Sequence, residues 1–267
     1  ASSSQYGDYP LAVWLVFISI LGYISSRKIP LTKATDPSLK INWNIFSEIS
    51  RIIKYSKKDK EVFLCIIGIS WFWFYASAIT LQIPALTLNT INGNETITTL
   101  LLATFAIGIG IGSLACEKLS RNRVEIGIVP IGAIGLTVFV LDLYFSASGN
   151  NQIQITTVID FIGQPRHWRI IFDLIMIGAC GGIFSVPFYA KIQKEADTQY
   201  LSRIIAANNI LNAIFMVSAS LLAITTLSLG LTILEFFALL SALNVMLMIY
   251  MHNQSKEFIK RFIGLLK

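Results

Sequence analysis

Apolar and polar residues in this chain fall into long blocks rather than short alternations. Seven apolar stretches stand out: Tyr9–Ser26, Val62–Ile83, Ile97–Cys116, Ile126–Ser146, Ile170–Ala190, Ala206–Leu227 and Leu231–Met251. At a rise of ~1.5 Å per residue, about 20 such residues cross a hydrocarbon core. Lipid gives the backbone no hydrogen-bonding partner, so segments of this length must be helices. The pattern therefore predicts an all-α membrane protein with seven transmembrane helices. Their spacing divides the chain into a first span (1–26), a linker (27–61), six closely connected spans (62–251) and a basic tail (252–267).

Within the linker, Ile41, Ile45, Ile49, Ile52 and Ile53 recur at helical spacing, with Asn44, Glu48, Arg51 and Lys54 on other faces. This is the pattern of an amphipathic helix that lies on the inner leaflet or packs on protein. In the tail, Phe258, Ile259, Phe262 and Leu265 alternate more weakly with basic positions.

Charge gives the spans a direction. Only 13% of residues are charged and mean hydropathy is +0.66, against about 25% charge in a soluble domain. Of the 21 Lys and Arg residues, 19 fall in the linker, in alternate connections or in the tail, leaving only Arg166 and Arg169 on the opposite side. By the positive-inside rule the richer side is cytoplasmic, with residue 1 outside and the C-terminus inside. The net charge of +6 thus reflects membrane orientation rather than nucleic-acid binding. Residue 1 is Ala and no stretch has the form of a cleavable signal, so the numbering is expected to begin inside a longer polypeptide. Cys65, Cys116 and Cys180 read as buried free thiols, and neither a metal nor a cofactor is expected.

Polar groups inside the spans are the candidates for chemistry, because intramembrane charge is costly and tends to face a cavity. Asp142 near the end of the fourth span and Glu235 near the start of the seventh can each bind a coupling cation or a headgroup ammonium, or simply meet water at the interface. Asn208, Asn209 and Asn212 open the sixth span, with Asn208 and Asn212 on one face. They read either as interhelical hydrogen bonds or as a polar track for a headgroup. Arg203 just before them suits a lipid phosphate or an anchored helix end. Trp71, Phe72, Trp73, Phe74 and Tyr75 occupy every face of the second span at mid-depth. Trp71 and Tyr75 share one face, suited to packing or to a cation–π contact. Gln82 and Pro84 mark a kinked or terminating end. The pairs Gly108/Gly112 and Gly178/Gly182 are spaced for close helix approach. His167 precedes Asp173 by five intervening residues rather than the four of an acyltransferase His–Asp pair, and His252 has Glu257 rather than Asp at the matching position.

The connection Ser113-Leu-Ala-Cys-Glu117-Lys118-Leu-Ser120-Arg121-Asn-Arg123 resembles the cytoplasmic loop motif of the major facilitator superfamily. Ser113 and Ser120 stand where that motif has Gly, and Glu117 where it has Asp. The resemblance implies a gating loop of Ser113, Glu117, Lys118, Ser120, Arg121 and Arg123; plain cationic anchoring is the simpler alternative. It also implies that the layout corresponds to span six, the linker and the C-terminal six-helix bundle of a twelve-span transporter, the first five spans lying outside this chain.

Four further strings, Gly68-Ile-Ser-Trp-Phe-Trp-Phe74, Gly108-Ile-Gly-Ile-Gly-Ser113, Glu125-Ile-Gly-Ile-Val-Pro130 and Arg203-Ile-Ile-Ala-Ala-Asn-Asn-Ile-Leu-Asn212, are similar to bacterial lysophospholipid transporters, particularly those fused ahead of a phospholipid acyltransferase. That resemblance implies a secondary transporter moving lysophosphatidylethanolamine-like lipid across the bacterial inner membrane. Its expected partners are membrane lipid, the N-terminal transporter half and an acyltransferase domain beyond Lys267. An efflux transporter for another amphipathic substrate and a membrane-embedded enzyme are the competing readings.

Overall fold

A computed structural model describes residues 9–30, 43–120, 125–149, 155, 157–196, 200–255 and 257–265. Every regular element among them is helical: α1 Tyr9–Ser26, α2 Ile45–Ser56, α3 Lys60–Ala85, α4 Glu95–Leu119, α5 Val129–Ala147, α6 Val158–Ile162, α7 Pro165–Glu195, α8 Leu201–Ser228, α9 Ile233–Gln254 and α10 Glu257–Leu265. Six of them, α3, α4, α5, α7, α8 and α9, are long and apolar enough to cross a membrane, some with a short flanking turn. The structure is therefore that expected of a multi-pass, all-α membrane protein. Helix α1 coincides with the first expected span, but its apolar segment among the described residues, Ala12–Ser26, is shorter than the other six. The chain divides into two units, residues 1–43 and residues 44–267, and α1 stands by itself in the first.

The spans run further than hydropathy suggests because their ends are capped by polar groups. The Asp59 carboxylate accepts from the backbone N–H groups of Glu61 (2.9 Å) and Val62 (3.1 Å), starting α3 before its first apolar residue. Asn94 caps α4 through Ile97 N (3.1 Å), and Pro165 opens α7 near a position where no N–H is needed. Thr232 and Glu235 form a reciprocal capping box at the start of α9. Pro84 lies in the last turn of α3, which gives way to a wider π-helical turn over Leu86–Thr90. Helix α8 stops at Gly230, whose φ of +96° suits a residue without Cβ.

Helices α3 and α7 form the centre of the second unit: 78% and 67% of their apolar windows are buried, against 22–33% for α4, α8 and α9. Ile66, Ile69, Ile79, Ile83, Phe184 and Phe188 lie in that core, joined by Phe236 and Phe237 from α9. Helix α7 packs on α4, α5 and α3, while α8 packs chiefly on α3. The linker helix α2 also docks on protein: Ile52 and Ile53 meet the main core, and the Tyr55 ring lies 4.8 Å from that of Tyr200. Ile41 lies outside the described residues.

Glycine sets the closest helix contact. Gly108 and Gly112 of α4 lie directly against the α7 backbone at Ile175 and Ala179, and Gly178 and Gly182 return the contact from α7. The two small-residue pairs read from the sequence therefore meet each other. A Cβ added at Gly182 would lie 2.6 Å from Ser113 N and 2.8 Å from Ile109 O, both backbone atoms.

Candidate functional site

Side-chain contacts fix the helix directions and so the two ends of the bundle. Glu61 meets Lys191 and Asp142 meets Arg169, while Asn244 meets Ala133. Helices α3 and α5 therefore run antiparallel to α7, and α9 antiparallel to α5. One end gathers Glu61, Lys118, Lys191, Lys194, Arg203 and His252. The other carries Gln82, Asp142, Arg166, Arg169 and Glu235. The basic residues grouped from alternate connections, where described, thus share one end of the bundle.

A buried polar seam runs along α3 between these ends. The Ser70 hydroxyl donates to Asn212 Oδ1 (2.9 Å). The Trp71 indole donates to Asn244 Oδ1 (2.9 Å), and the Asn244 amide donates onward to Ala133 O (2.8 Å) and Thr137 Oγ1 (2.9 Å). Trp71 also stacks on Phe74, their ring centroids 4.8 Å apart. Tyr75 is fully buried and its hydroxyl reaches Leu136 O (3.4 Å). One turn from Asn212, Asn208 is buried with its Oδ1 unpartnered. Asn209, by contrast, faces outward. Of the aromatic block, only Trp73 is exposed, and its indole donates to the Tyr189 hydroxyl (3.1 Å). Gln82 is buried near the end of α3.

Sequence inspection singled out Ser70, Asn244 and Thr137 no more than their neighbours. A lone Asn in an apolar helix is a usable signal, and Asn244 carries it within α9. Ser70 and Thr137 carry none, because small hydroxyl residues satisfy themselves on the preceding turn in most spans.

At the Lys191 end, an ion pair joins the two central helices. Lys191 Nζ lies 3.1 Å from Glu61 Oε2 on α3 and 3.7 Å from Glu195 Oε2 on its own helix, with only 4% of the lysine side chain exposed. The sequence placed Lys191 among the cytoplasmic cations without separating it from them. Nearby, the Arg203 guanidinium lies 5.8 Å from the Tyr200 ring centre. Glu117 and Lys118 are exposed, and Glu117 has no ion-pair partner among the described residues. Ser113 and Ser120 hydrogen-bond the backbone carbonyls of Ile109 and Glu117. Arg121 and Arg123 lie outside the described residues.

At the opposite end, Arg169 grips Asp142 through both carboxylate oxygens, Nε to Oδ2 at 2.9 Å and Nη2 to Oδ1. The Glu235 carboxylate is occupied by the α9 cap, accepting from Thr232 N (2.7 Å) and Oγ1 (2.9 Å). The His167 ring stacks on Phe161 at 4.2 Å with Nδ1 2.7 Å from Phe161 O, while Asp173 takes a hydroxyl from Ser146 (2.9 Å). His252 lies at the other end, its Nδ1 buried and unpartnered, beside an apolar cavity of about 470 Å³ between α5, α9 and α10. Cys65, Cys116 and Cys180 are buried and free. Searches against protein families, curated proteins and solved structures find no match, so function is read from these side chains.

Proposed function

We propose that this chain forms part of a secondary transporter of the major facilitator type, moving lysophosphatidylethanolamine-like lysophospholipid across the bacterial inner membrane by alternating access. The observation that carries this reading is the seam of Ser70, Trp71, Asn208, Asn212 and Asn244, buried beside the apolar core of the bundle. Purely structural hydrogen bonds between spans contribute only about 0.6 kcal/mol each. The unpartnered Asn208 oxygen offers a docking point for a headgroup donor, such as an ethanolamine ammonium.

In this reading the end bearing Lys118, Lys191 and Lys194 faces the cytoplasm, and α1 is the first of the seven spans, corresponding to span six and belonging to the N-terminal half. That half and an acyltransferase domain are the partners. The Lys191–Glu61 pair bridges the two central helices α3 and α7, which also share the Trp73–Tyr189 hydrogen bond. A bridge of this kind, made in one state and broken in the other, biases a rocking equilibrium. The loop of Ser113, Glu117, Lys118, Ser120, Arg121 and Arg123 supplies the matching contact toward the other half. Asp142 and Glu235 sit at the outer end, Arg203 and Gln82 near the two mouths, and Tyr75 lines the seam.

The test is uptake of radiolabelled lysophosphatidylethanolamine into spheroplasts expressing the complete polypeptide. Saturable uptake that falls in Asn208→Leu while surface expression holds supports the reading. Absence of uptake, with energy-dependent export of amphipathic drugs instead, assigns the efflux alternative. Release of free fatty acid or a reacylated product by this part alone assigns the enzyme alternative.

A further inference from the structure

Near the outer end of the bundle, α5 and α7 bring together a group whose charges do not balance. Asp142 and Ser146 stand one turn apart on α5, and Arg169 and Asp173 one turn apart on α7. The Arg169 guanidinium is committed to Asp142 through both oxygens. Arg166, the other cation at this end, donates its Nε to the Ser146 backbone carbonyl (3.0 Å). Asp173 is fully buried, and Ser146 Oγ bonds its Oδ2 at 2.9 Å. Its Oδ1 is enclosed and has no hydrogen-bond partner. The charged groups acting on it are Asp142 and Arg169, and the Asp142 carboxyl lies within side-chain hydrogen-bonding reach.

Two facing carboxylates are both acceptors, so neither can satisfy the other without a positive particle between them. Arg169 cancels one of the two charges. A single buried negative charge is left, which is costly to keep in so dry a place.

We propose that Asp173 Oδ1, with the Asp142 carboxylate and the Ser146 hydroxyl, binds one small monovalent cation, a proton or a sodium ion. A single positive charge makes the group of Asp142, Arg169 and Asp173 neutral, whereas a divalent ion overshoots. An all-oxygen set of two carboxylates and a hydroxyl suits sodium, and a shared proton turns two opposed acceptors into a hydrogen-bonded carboxyl pair. Use of this cation to drive transport rests on the transporter reading; its binding does not.

The experiment is thermal unfolding of the purified full-length protein in lipid nanodiscs, in sodium chloride or choline chloride at matched ionic strength, over a range of pH. Anything bound to the folded state alone raises the midpoint by mass action. A saturable rise with sodium identifies sodium; a rise on acidification that ignores sodium identifies the proton. Asp173→Asn, whose amide brings its own donor hydrogens, is expected to abolish whichever response the wild type shows. A wild type that responds to neither, or an Asp173→Asn protein that keeps the wild-type response, overturns the proposal. Should Asp173→Asn fail to fold, Ser146→Ala decides the matter. It is expected to shift the half-maximal cation concentration by about tenfold, as loss of one hydrogen bond to a charged group does, and an unshifted response overturns the site. Cation response without lysolipid uptake leaves the site standing and removes the transport reading; uptake without the response does the reverse.

Discussion

Replacing one glycine of the α4–α7 contact tests the architecture directly, because another glycine on α4 serves as an internal control. At Gly182 a new Cβ would lie 2.6 Å from Ser113 N, 2.8 Å from Ile109 O and 2.9 Å from the Gly112 carbonyl carbon. Ordinary van der Waals contact begins at 3.4 Å, so the helices must part by 3.4 − 2.6 = 0.8 Å to admit it. All three obstacles are backbone, and no rotamer change relieves them. A gap of about 0.5–1 Å already forfeits roughly a quarter to a half of each dispersion contact along the seam, and overpacking of this kind costs about 1–3 kcal/mol. At Gly110, two residues from Gly112 on the same helix, nothing lies within 4 Å of the added Cβ. There, alanine is expected to be neutral or stabilising by up to about 1 kcal/mol through its helix propensity. Reversible unfolding in mixed micelles, followed by steric trapping, measures both. If Gly182→Ala matches Gly110→Ala within error, α4 and α7 do not pack as described, and the reasoning from close approach fails.

Asn244→Leu strands the Trp71 indole N–H, whose acceptor is Asn244 Oδ1, and is expected to cost about 1–3 kcal/mol in the same unfolding assay. Glu61→Gln removes the inter-helix partner of Lys191. In a background lacking Cys116 and Cys180, it should speed maleimide labelling of the enclosed Cys65, which lies in the field of that cluster; an unchanged rate removes the bridge's role as a lock. Single cysteines replacing Lys118 and Lys194 are expected to react with an impermeant reagent only from the cytoplasmic face of sealed cells, since both occupy one end of the bundle. On the transporter reading proposed above, Glu117→Gln in the complete polypeptide is expected to slow lysolipid uptake more than it weakens lysolipid binding, with expression held constant.

The spans were legible because crossing a bilayer forces long apolar blocks, and the α4–α7 contact because paired glycines have few other uses in an apolar helix. Helix ends were less so. Residues 165–169 carry Arg166, His167 and Arg169 and lower the local hydropathy, yet α7 starts there at Pro165, whose fixed φ suits the first helical position whatever the polarity of the residues that follow. The sequence also left open whether the linker helix lies on lipid or on protein. Its contact with α8 runs through Tyr55 and Tyr200, residues 145 positions apart, a pairing that no local pattern reveals. Lys191 went unmarked for the same reason, being unusual only because α3 places Glu61 beside it. Asp173 stood out only as a partner for His167, although a carboxylate inside an apolar span is itself a signal; its contact with Ser146 on another helix is what the sequence hid.

The two ion pairs on α7 differ in a way that bears on mechanism. Arg169–Asp142 lies within a slab formed by α4, α5 and α7, whose members touch through backbone at Gly108, Gly112, Gly132, Gly178 and Gly182. Contacts at backbone distance leave little room for sliding, so this pair is a fixed part of the slab and suits a binding site whose geometry must persist. Lys191–Glu61 instead joins the slab to α3, which carries α8 and, through α8, α2. Opposite Lys191 on α3 the neighbours are side chains, Phe188 against Gly68 and Phe72 against Gly181, and side chains can repack where backbones cannot. Relative movement in this bundle therefore belongs between the slab and the α3–α8 pair. The buried Lys191–Glu61 pair is the charged contact that such a movement must break, together with the Trp73–Tyr189 and Tyr75–Leu136 hydrogen bonds, whereas the Ser70–Asn212 bond lies within the α3–α8 pair and would travel with it.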